Sequence, residues 1–176
     1  MNYGQIYNCD TANGPGMRVT LFVSGCTHHC KECFNEETWN FSYGEEFTEK
    51  EADSIVEMLK ASYIDGLTLL GGEPMEPANQ EALLPLLKRI KTELPGKSIW
   101  LYSGFTFEQL TGIEQSHCRC GWTDEILSLC DILVDGEFHI DQKNVMLQFR
   151  GSSNQRVLDL KTSLEKHEPV WMEKYR

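Results

Sequence analysis

Short apolar runs alternate with amphipathic helical stretches along this chain, and loops bearing cysteine, glycine or aspartate follow three of the runs. Met17 to Ser24 is apolar, β-branched and short, which predicts a buried strand. Ile64 to Leu70 is a second such run, ending at Gly71-Gly72-Glu73-Pro74. Ser98 to Tyr102 is a third, and Asp131 to Val134 a fourth, followed by Asp135-Gly136. Between them, Thr48-Glu49-Lys50-Glu51 reads as a capping box, and Ala52, Ile55, Val56 and Leu59 form the apolar stripe of the helix behind it. Asn79 to Leu94 reads as a helix in which Pro85 must make a kink or mark the true start, with Pro95-Gly96 closing it. Phe107 to Leu110 reads as a helical turn, and Thr123 caps a helix through Cys130. Val145 to Phe149 and Arg156 to Leu160 look extended. Strands alternating with helices imply an α/β fold with a mainly parallel sheet and helical crossovers. Ligands bind at the carboxyl ends of the strands in such folds, where the cysteine loop, Gly71-Gly72-Glu73 and Asp135-Gly136 all fall. Eight βα units take about 250 residues, so 176 residues predict a partial, open (βα) barrel.

The first loop contains Cys26, Cys30 and Cys33 at C-x3-C-x2-C spacing. Three thiolates at this spacing can hold three irons of a [4Fe-4S] cluster and leave the fourth iron open. An open metal position is where a substrate can bind, as in catalytic zinc sites. The competing reading is a structural zinc site with His28 or His29 as fourth ligand, but zinc pairs are usually matched with a second, distant pair. His28 and His29 can also sit beside a cluster as neighbours, and His29 reads equally well as a surface residue. Gly71 and Gly72 lack a Cβ, so a small ligand can approach their backbone, and Glu73 can accept a hydrogen bond from an ammonium group. In isolation the same three residues read as a tight turn.

Seven cysteines, an odd number and clustered, do not make a secreted disulfide framework. They point to metal or redox chemistry in a reducing compartment. A net charge of −11 argues against coating a nucleic-acid backbone, and no apolar run approaches the roughly 20 residues of a membrane span. The first residues show no basic stretch followed by an apolar core, so a cytoplasmic location is expected. One domain over residues 1–176 is expected, its tail beginning near residue 161. Pro95-Gly96-Lys97-Ser98 is not a phosphate-binding loop, because Lys91 stands where the pattern requires glycine and a strand follows. Cys118 and Cys120 are too few ligands for a second metal site, and Cys130 reads as buried.

Taken together, several stretches resemble one known family. They are the cysteine loop, Asn13-Gly14-Pro15-Gly16-Met17-Arg18, Gly71-Gly72-Glu73, Cys33-Phe34-Asn35-Glu36-Glu37-Thr38-Trp39, Leu133-Val134-Asp135-Gly136 and Arg150-Gly151-Ser152-Ser153-Asn154-Gln155. The chain resembles the radical S-adenosylmethionine enzymes that activate glycyl-radical enzymes, from Met1 to about Leu160. The resemblance implies a partial barrel of the radical S-adenosylmethionine type, with a [4Fe-4S] cluster on Cys26, Cys30 and Cys33. It implies S-adenosylmethionine bound at the open iron, with Gly71, Gly72 and Glu73 receiving its amino group. Glu32, Cys33 and Phe34 would contact the adenosyl part, Phe34 packing against adenine. The reaction implied is reductive cleavage of S-adenosylmethionine to a 5'-deoxyadenosyl radical that takes hydrogen from a glycine of a partner enzyme. No catalytic side chain beyond cluster and cofactor is then required. The implied partner is anaerobic ribonucleoside-triphosphate reductase, with pyruvate formate-lyase the runner-up and flavodoxin the implied electron donor; both a homodimer and a complex with the reductase remain open. Two departures stand out. Glu32 occupies a position that is often aromatic in such enzymes, and Tyr102-Ser103 replaces the Asp-Thr that accompanies a cation site in pyruvate formate-lyase activase. That cation site is not expected here, although Asp135 can still reach the centre.

Overall fold

The computed structural model describes residues 1–176. Seven strands form one open sheet: β1 (Asn2–Asp10), β2 (Arg18–Val23), β3 (Glu45–Glu46), β4 (Gly66–Gly71), β5 (Ser98–Ser103), β6 (Ile132–Asp135) and β7 (Arg156–Asp159), in the order β3-β1-β2-β4-β5-β6-β7. The central pairs β2–β4, β4–β5 and β5–β6 are parallel. The outer pairs β1–β2, β1–β3 and β6–β7 are antiparallel, so the sheet is mixed rather than mainly parallel. Helices α1 (Glu49–Leu59), α2 (Pro77–Glu93), α3 (Phe107–Thr111) and α4 (Thr123–Leu129) lie between the parallel strands in sequence, and α5 (Leu160–Lys166) follows β7. No helix is long and apolar enough to cross a membrane.

The winding is one-sided. Alternate strand residues Val19, Leu21, Leu67, Leu69, Ile99, Leu101 and Leu133 enter one core with residues from all five helices, among them Ile55, Leu87, Phe107, Ile126 and Leu160. Side chains alternate across a strand, so the residues between them face the other way. There Trp100, Ile132, Val134 and Val157 pack with Tyr175, and the rings of Phe149 and Tyr175 meet Trp100 edge-on at 5.5 and 5.9 Å. No α-helix covers that second face; the chain after β6 and the C-terminal residues, including a 3-10 turn over Glu173–Tyr175, do. At the amino ends of the strands, buried Arg18 donates to Thr68 Oγ1, Ser98 Oγ and the carbonyls of Leu67 and Ser98 at 2.7–3.0 Å, tying β2, β4 and β5 together. Burial pulls its pKa down to about 10.

Most elements lie where the sequence predicts them, and the exceptions have local causes. The capping box of α1 forms between Thr48 and Glu51. Helix α2 starts at Pro77, ahead of Asn79, and runs through Pro85. Pro85 lies on the exposed side, where water can hydrate the carbonyl that its missing N–H leaves free. Strand β1 has no apolar run, because it is half-exposed near the sheet edge. Val145 to Phe149 is not extended. Asn144 folds it into a turn, its Oδ1 accepting from Met146 N at 2.9 Å and its carbonyl from Leu147 N at 3.2 Å, a local bonding pattern that competes with strand pairing. The residues after 160 form α5 and a tail whose Trp171 bridges Leu158 at the open edge of β7.

Candidate functional site

The loops leaving β2, β4, β5 and β6 converge at one end of the sheet. The backbone there is closely joined. Gly25 N donates to the Thr38 carbonyl at 2.7 Å, and the Gly25 carbonyl accepts from Glu73 N at 2.8 Å. Gly72 N donates to the Val23 carbonyl at 2.7 Å, and Asn79 Nδ2 to the carbonyls of Ser24 and Glu73. The glycine pair is required by these contacts. A Cβ on Gly71, whose φ is +112°, would lie 2.7 Å from Val23 backbone atoms, and one on Gly72 would lie 2.6 Å from the Gly25 carbonyl oxygen. The Cβ side of Gly71 is therefore taken by β2 and that of Gly72 by Gly25 and Thr38, although both glycines still line the cavity described below.

That loop then turns tightly. His29 and Glu32 adopt left-handed backbone conformations with φ of +53° and +57°. Each costs a non-glycine residue about 1–2 kcal/mol, a strain that recurs at functional sites. Cys26 is buried, Cys30 and Cys33 are half-buried, and Asn35 N donates to Cys33 Sγ at 3.4 Å. Burial pushes the Cys26 thiol up to about 12 and also raises Cys30. All seven cysteines are free thiols.

His28 and Glu73 join the cysteine loop to the strand ends. Glu73 is only 1% exposed. Its Oε1 accepts from Met75 N at 2.8 Å and Ser103 Oγ at 2.9 Å, and its Oε2 from Gly104 N at 2.7 Å and His28 Nε2 at 3.1 Å. The other imidazole nitrogen of His28, Nδ1, lies 2.7 Å from Glu137 Oε1. Burial pulls the His28 pKa down, but the bonds and charges of Glu73 and Glu137 outweigh it and raise the group to about 9. Gly104 makes room for the ring, since a Cβ there would lie 2.6 Å from it. His28 is thus occupied by carboxylates, and His29 stacks on Trp39 with centroids 4.6 Å apart. No three His, Cys, Asp or Glu side chains come close enough to share a single metal ion. Sulfurs sharing one tetrahedral zinc would stand about 3.8 Å apart, whereas cluster sulfurs each bind a different iron and stand further apart.

One cavity of about 550 Å³ is lined by Cys26, Cys30, Glu32, Cys33, Phe34, Gly71, Gly72 and Glu73. The structure therefore brings together every residue singled out for cofactor contact, although two sit differently from expectation. Glu73 has its acceptor positions filled by protein donors, and the Phe34 ring is 99% exposed, packed against nothing. Asp135 does not reach the cavity. It is buried against Arg156, 2.9 Å from Nε, and Phe107 N at 2.6 Å.

Sequence reasoning missed three cavity residues. Trp39 Nε1, Tyr102 OH and Arg150 Nε are buried, line this cavity and have no hydrogen-bond partner in the protein. Tryptophan Nε1 and arginine Nε can only donate, so these walls call for a ligand rich in acceptors. S-adenosylmethionine, with its carboxylate, ribose hydroxyls and adenine nitrogens, fits that demand. The three thiols, with an N–H donor on Cys33, fit an iron–sulfur cluster. Unpartnered atoms are visible only after folding, and the sequence signals were the strand ending in Tyr102-Ser103 and the family-like stretches that end at Trp39 and begin at Arg150.

Comparisons with known proteins agree with the iron–sulfur part of this chemistry. A family model described as a 4Fe-4S single cluster domain matches residues 12–158. An anaerobic ribonucleoside-triphosphate reductase-activating protein of Vibrio cholerae is 46% identical over 157 residues, covering 88% of this chain and 96% of the relative. Proteins of the same name from Escherichia coli K12 and Enterobacteria phage T4 are 41% and 39% identical, covering 92% and 96% of this chain and 100% of each relative. The chain belongs to the family of anaerobic ribonucleoside-triphosphate reductase-activating proteins.

Proposed function

We propose that this protein holds a [4Fe-4S] cluster on Cys26, Cys30 and Cys33, cleaves S-adenosylmethionine reductively, and generates a glycyl radical on anaerobic ribonucleoside-triphosphate reductase. The observation that carries the reading is the single cavity lined by the three cysteines, the Gly71–Glu73 strand end and three orphaned donors. When bound, the cluster and S-adenosylmethionine would supply one-electron reduction of a sulfonium and a hydrogen-abstracting group.

The protein's own residues bind, orient and shield. The three thiolates leave one iron position open for the methionine end. The backbone carbonyls of Gly71 and Gly72, which line the cavity, would receive the amino group. Glu73 acts by holding Ser103, Gly104 and His28 in place, since its carboxylate is saturated. Trp39, Tyr102 and Arg150 donate to acceptor atoms of the ligand. Glu32 and Phe34 flank the adenosyl part, while Leu70, Phe138 and Leu147 exclude water. No side chain need move a proton. The one-sided winding around β2, β4, β5 and β6 supports reading the sheet as a short, open barrel, with residues 1–176 acting as one unit. Flavodoxin is the proposed electron donor, and the proposed location is cytoplasmic.

Anaerobic reconstitution with iron and sulfide, followed by an assay for 5'-deoxyadenosine, tests the reading. Four irons and four sulfides per chain and reductant-dependent 5'-deoxyadenosine are expected from a [4Fe-4S] enzyme, with both lost in Cys30→Ala. One zinc without sulfide, or full activity in Cys30→Ala, would overturn it.

A further inference from the structure

Nine large apolar side chains are substantially exposed on this protein, and the three most exposed are at one place. Phe34 is 99% exposed, Val145 86% and Met146 84%, whereas the other six range from 37% to 65%. Phe34 and Val145 both line the cysteine cavity, on chain segments far apart in sequence, and Met146 follows Val145 at a loop tip. Large apolar side chains exposed together at a cavity mark an interaction surface rather than ordinary scatter.

The loop tip is built. Lys143 bridges Ser152, Asn144 N donates to the Gly151 carbonyl at 3.1 Å, and Ser153 N to the Gln142 carbonyl at 3.0 Å. The turn bonds from Met146 N and Leu147 N to Asn144 complete it. The fold therefore fixes a turn that holds Val145 and Met146 in water, and it fixes Phe34 directly after Cys33 in the same condition.

We propose that Phe34, Val145 and Met146, the three most exposed apolar side chains, together form a clamp for the glycine-bearing segment of the reductase. This inference rests on the function proposed above. The reacting atom there is a backbone Cα of a partner protein, and it has to enter the cavity that Phe34 and Val145 line. A polypeptide segment docked at that cavity would cover these exposed side chains. A second copy of this chain is disfavoured as the occupant, because two molecules of net charge −11 repel.

The test uses Met146→Ser, a substitution at a residue outside the cavity lining, in the full chain, reconstituted beside the unmodified protein. Cluster content and 5'-deoxyadenosine formation without reductase are expected to be unchanged. Binding to the reductase should weaken about ten- to a hundredfold, the range set by losing one buried methionine side chain. Glycyl-radical yield at limiting reductase should fall with it and recover at high reductase concentration. A Met146→Ser variant that binds and activates the reductase like the unmodified protein overturns the clamp while leaving the proposed function intact. Absence of S-adenosylmethionine cleavage in the unmodified protein overturns the function itself. In a second arm a photo-crosslinking benzoylphenylalanine replaces Met146. Crosslinks mapped to the glycine-bearing segment support the clamp; crosslinks between two copies of this chain, or to a remote surface of the reductase, overturn it.

Discussion

Replacing Glu73 by glutamine keeps the side chain's shape and removes its charge, which isolates the role of its hydrogen bonds. Its two oxygens serve four donors: Met75 N and Ser103 Oγ on one, Gly104 N and His28 Nε2 on the other. Glutamine has one acceptor oxygen and an NH₂ group. If the oxygen keeps Met75 and Ser103, the NH₂ faces Gly104 N–H; if it is reversed, the NH₂ faces Met75 N–H. In either orientation one buried backbone N–H loses its acceptor, which costs about 1–3 kcal/mol. The His28 imidazolium also loses one of its two charged partners, adding about 1 kcal/mol by the worth of a charge-assisted bond. The sum is about 2–4 kcal/mol. With a urea slope of about 2 kcal/mol/M, the unfolding midpoint should fall by about 1–2 M. Urea unfolding of the reduced, metal-free protein followed by circular dichroism measures this. A Glu73→Gln midpoint within about 0.3 M of the unmodified protein would refute the argument that Glu73 is a saturated structural hub.

Four further outcomes are expected. Gly72→Ala drives a Cβ against the carbonyl oxygens of Gly25 and Thr38, at 2.6 and 2.9 Å, so iron and sulfide incorporation should drop while far-ultraviolet dichroism stays native. Trp39→Phe removes the orphaned donor but keeps a ring for His29, so S-adenosylmethionine binding measured by calorimetry should weaken about three- to tenfold with cluster content unchanged. Arg156→Met strands the buried Asp135 and should cost about 2–4 kcal/mol at pH 7, less than for a fully buried pair because Arg156 is partly exposed. Burial already holds the Asp135 pKa above its ordinary value, so the penalty belongs to its ionised form and should ease in the variant as pH falls from 7 to 5. The unmodified protein should instead lose stability below about pH 4.5, because the Arg156 bond holds the Glu108 carboxyl low and that contribution vanishes as pH falls through its folded pKa. Thermal melts across this pH range check both signs.

Local rules made much of this fold readable. The Thr48–Glu51 capping box and the stripe of Ala52, Ile55, Val56 and Leu59 define α1 without any knowledge of its neighbours, and β2, β4, β5 and β6 announce themselves as buried runs. Strand β1 is silent because its half-exposed residues carry no apolar pattern; its place depends on pairing with β2 and β3. The site divides in the same way. Cysteine spacing and the glycine pair are sequence features, and the structure brings them to one cavity. What the spacing could not reveal is that Gly71 and Gly72 face backbone, that Glu73 is saturated by four donors, or that Trp39, Tyr102 and Arg150 reach the cavity with bare donors. Those facts depend on which residues tertiary packing sets opposite one another.

The most direct measurement uses reductase labelled with deuterium at its glycine Cα positions. The reconstituted protein, a one-electron reductant and S-adenosylmethionine are added, and glycyl-radical resonance is recorded beside the isotopic content of 5'-deoxyadenosine. The account predicts a glycyl-radical signal and deuterium in 5'-deoxyadenosine in proportion to it. A cleavage product free of deuterium, or activation of the reductase without cleavage of S-adenosylmethionine, would contradict it.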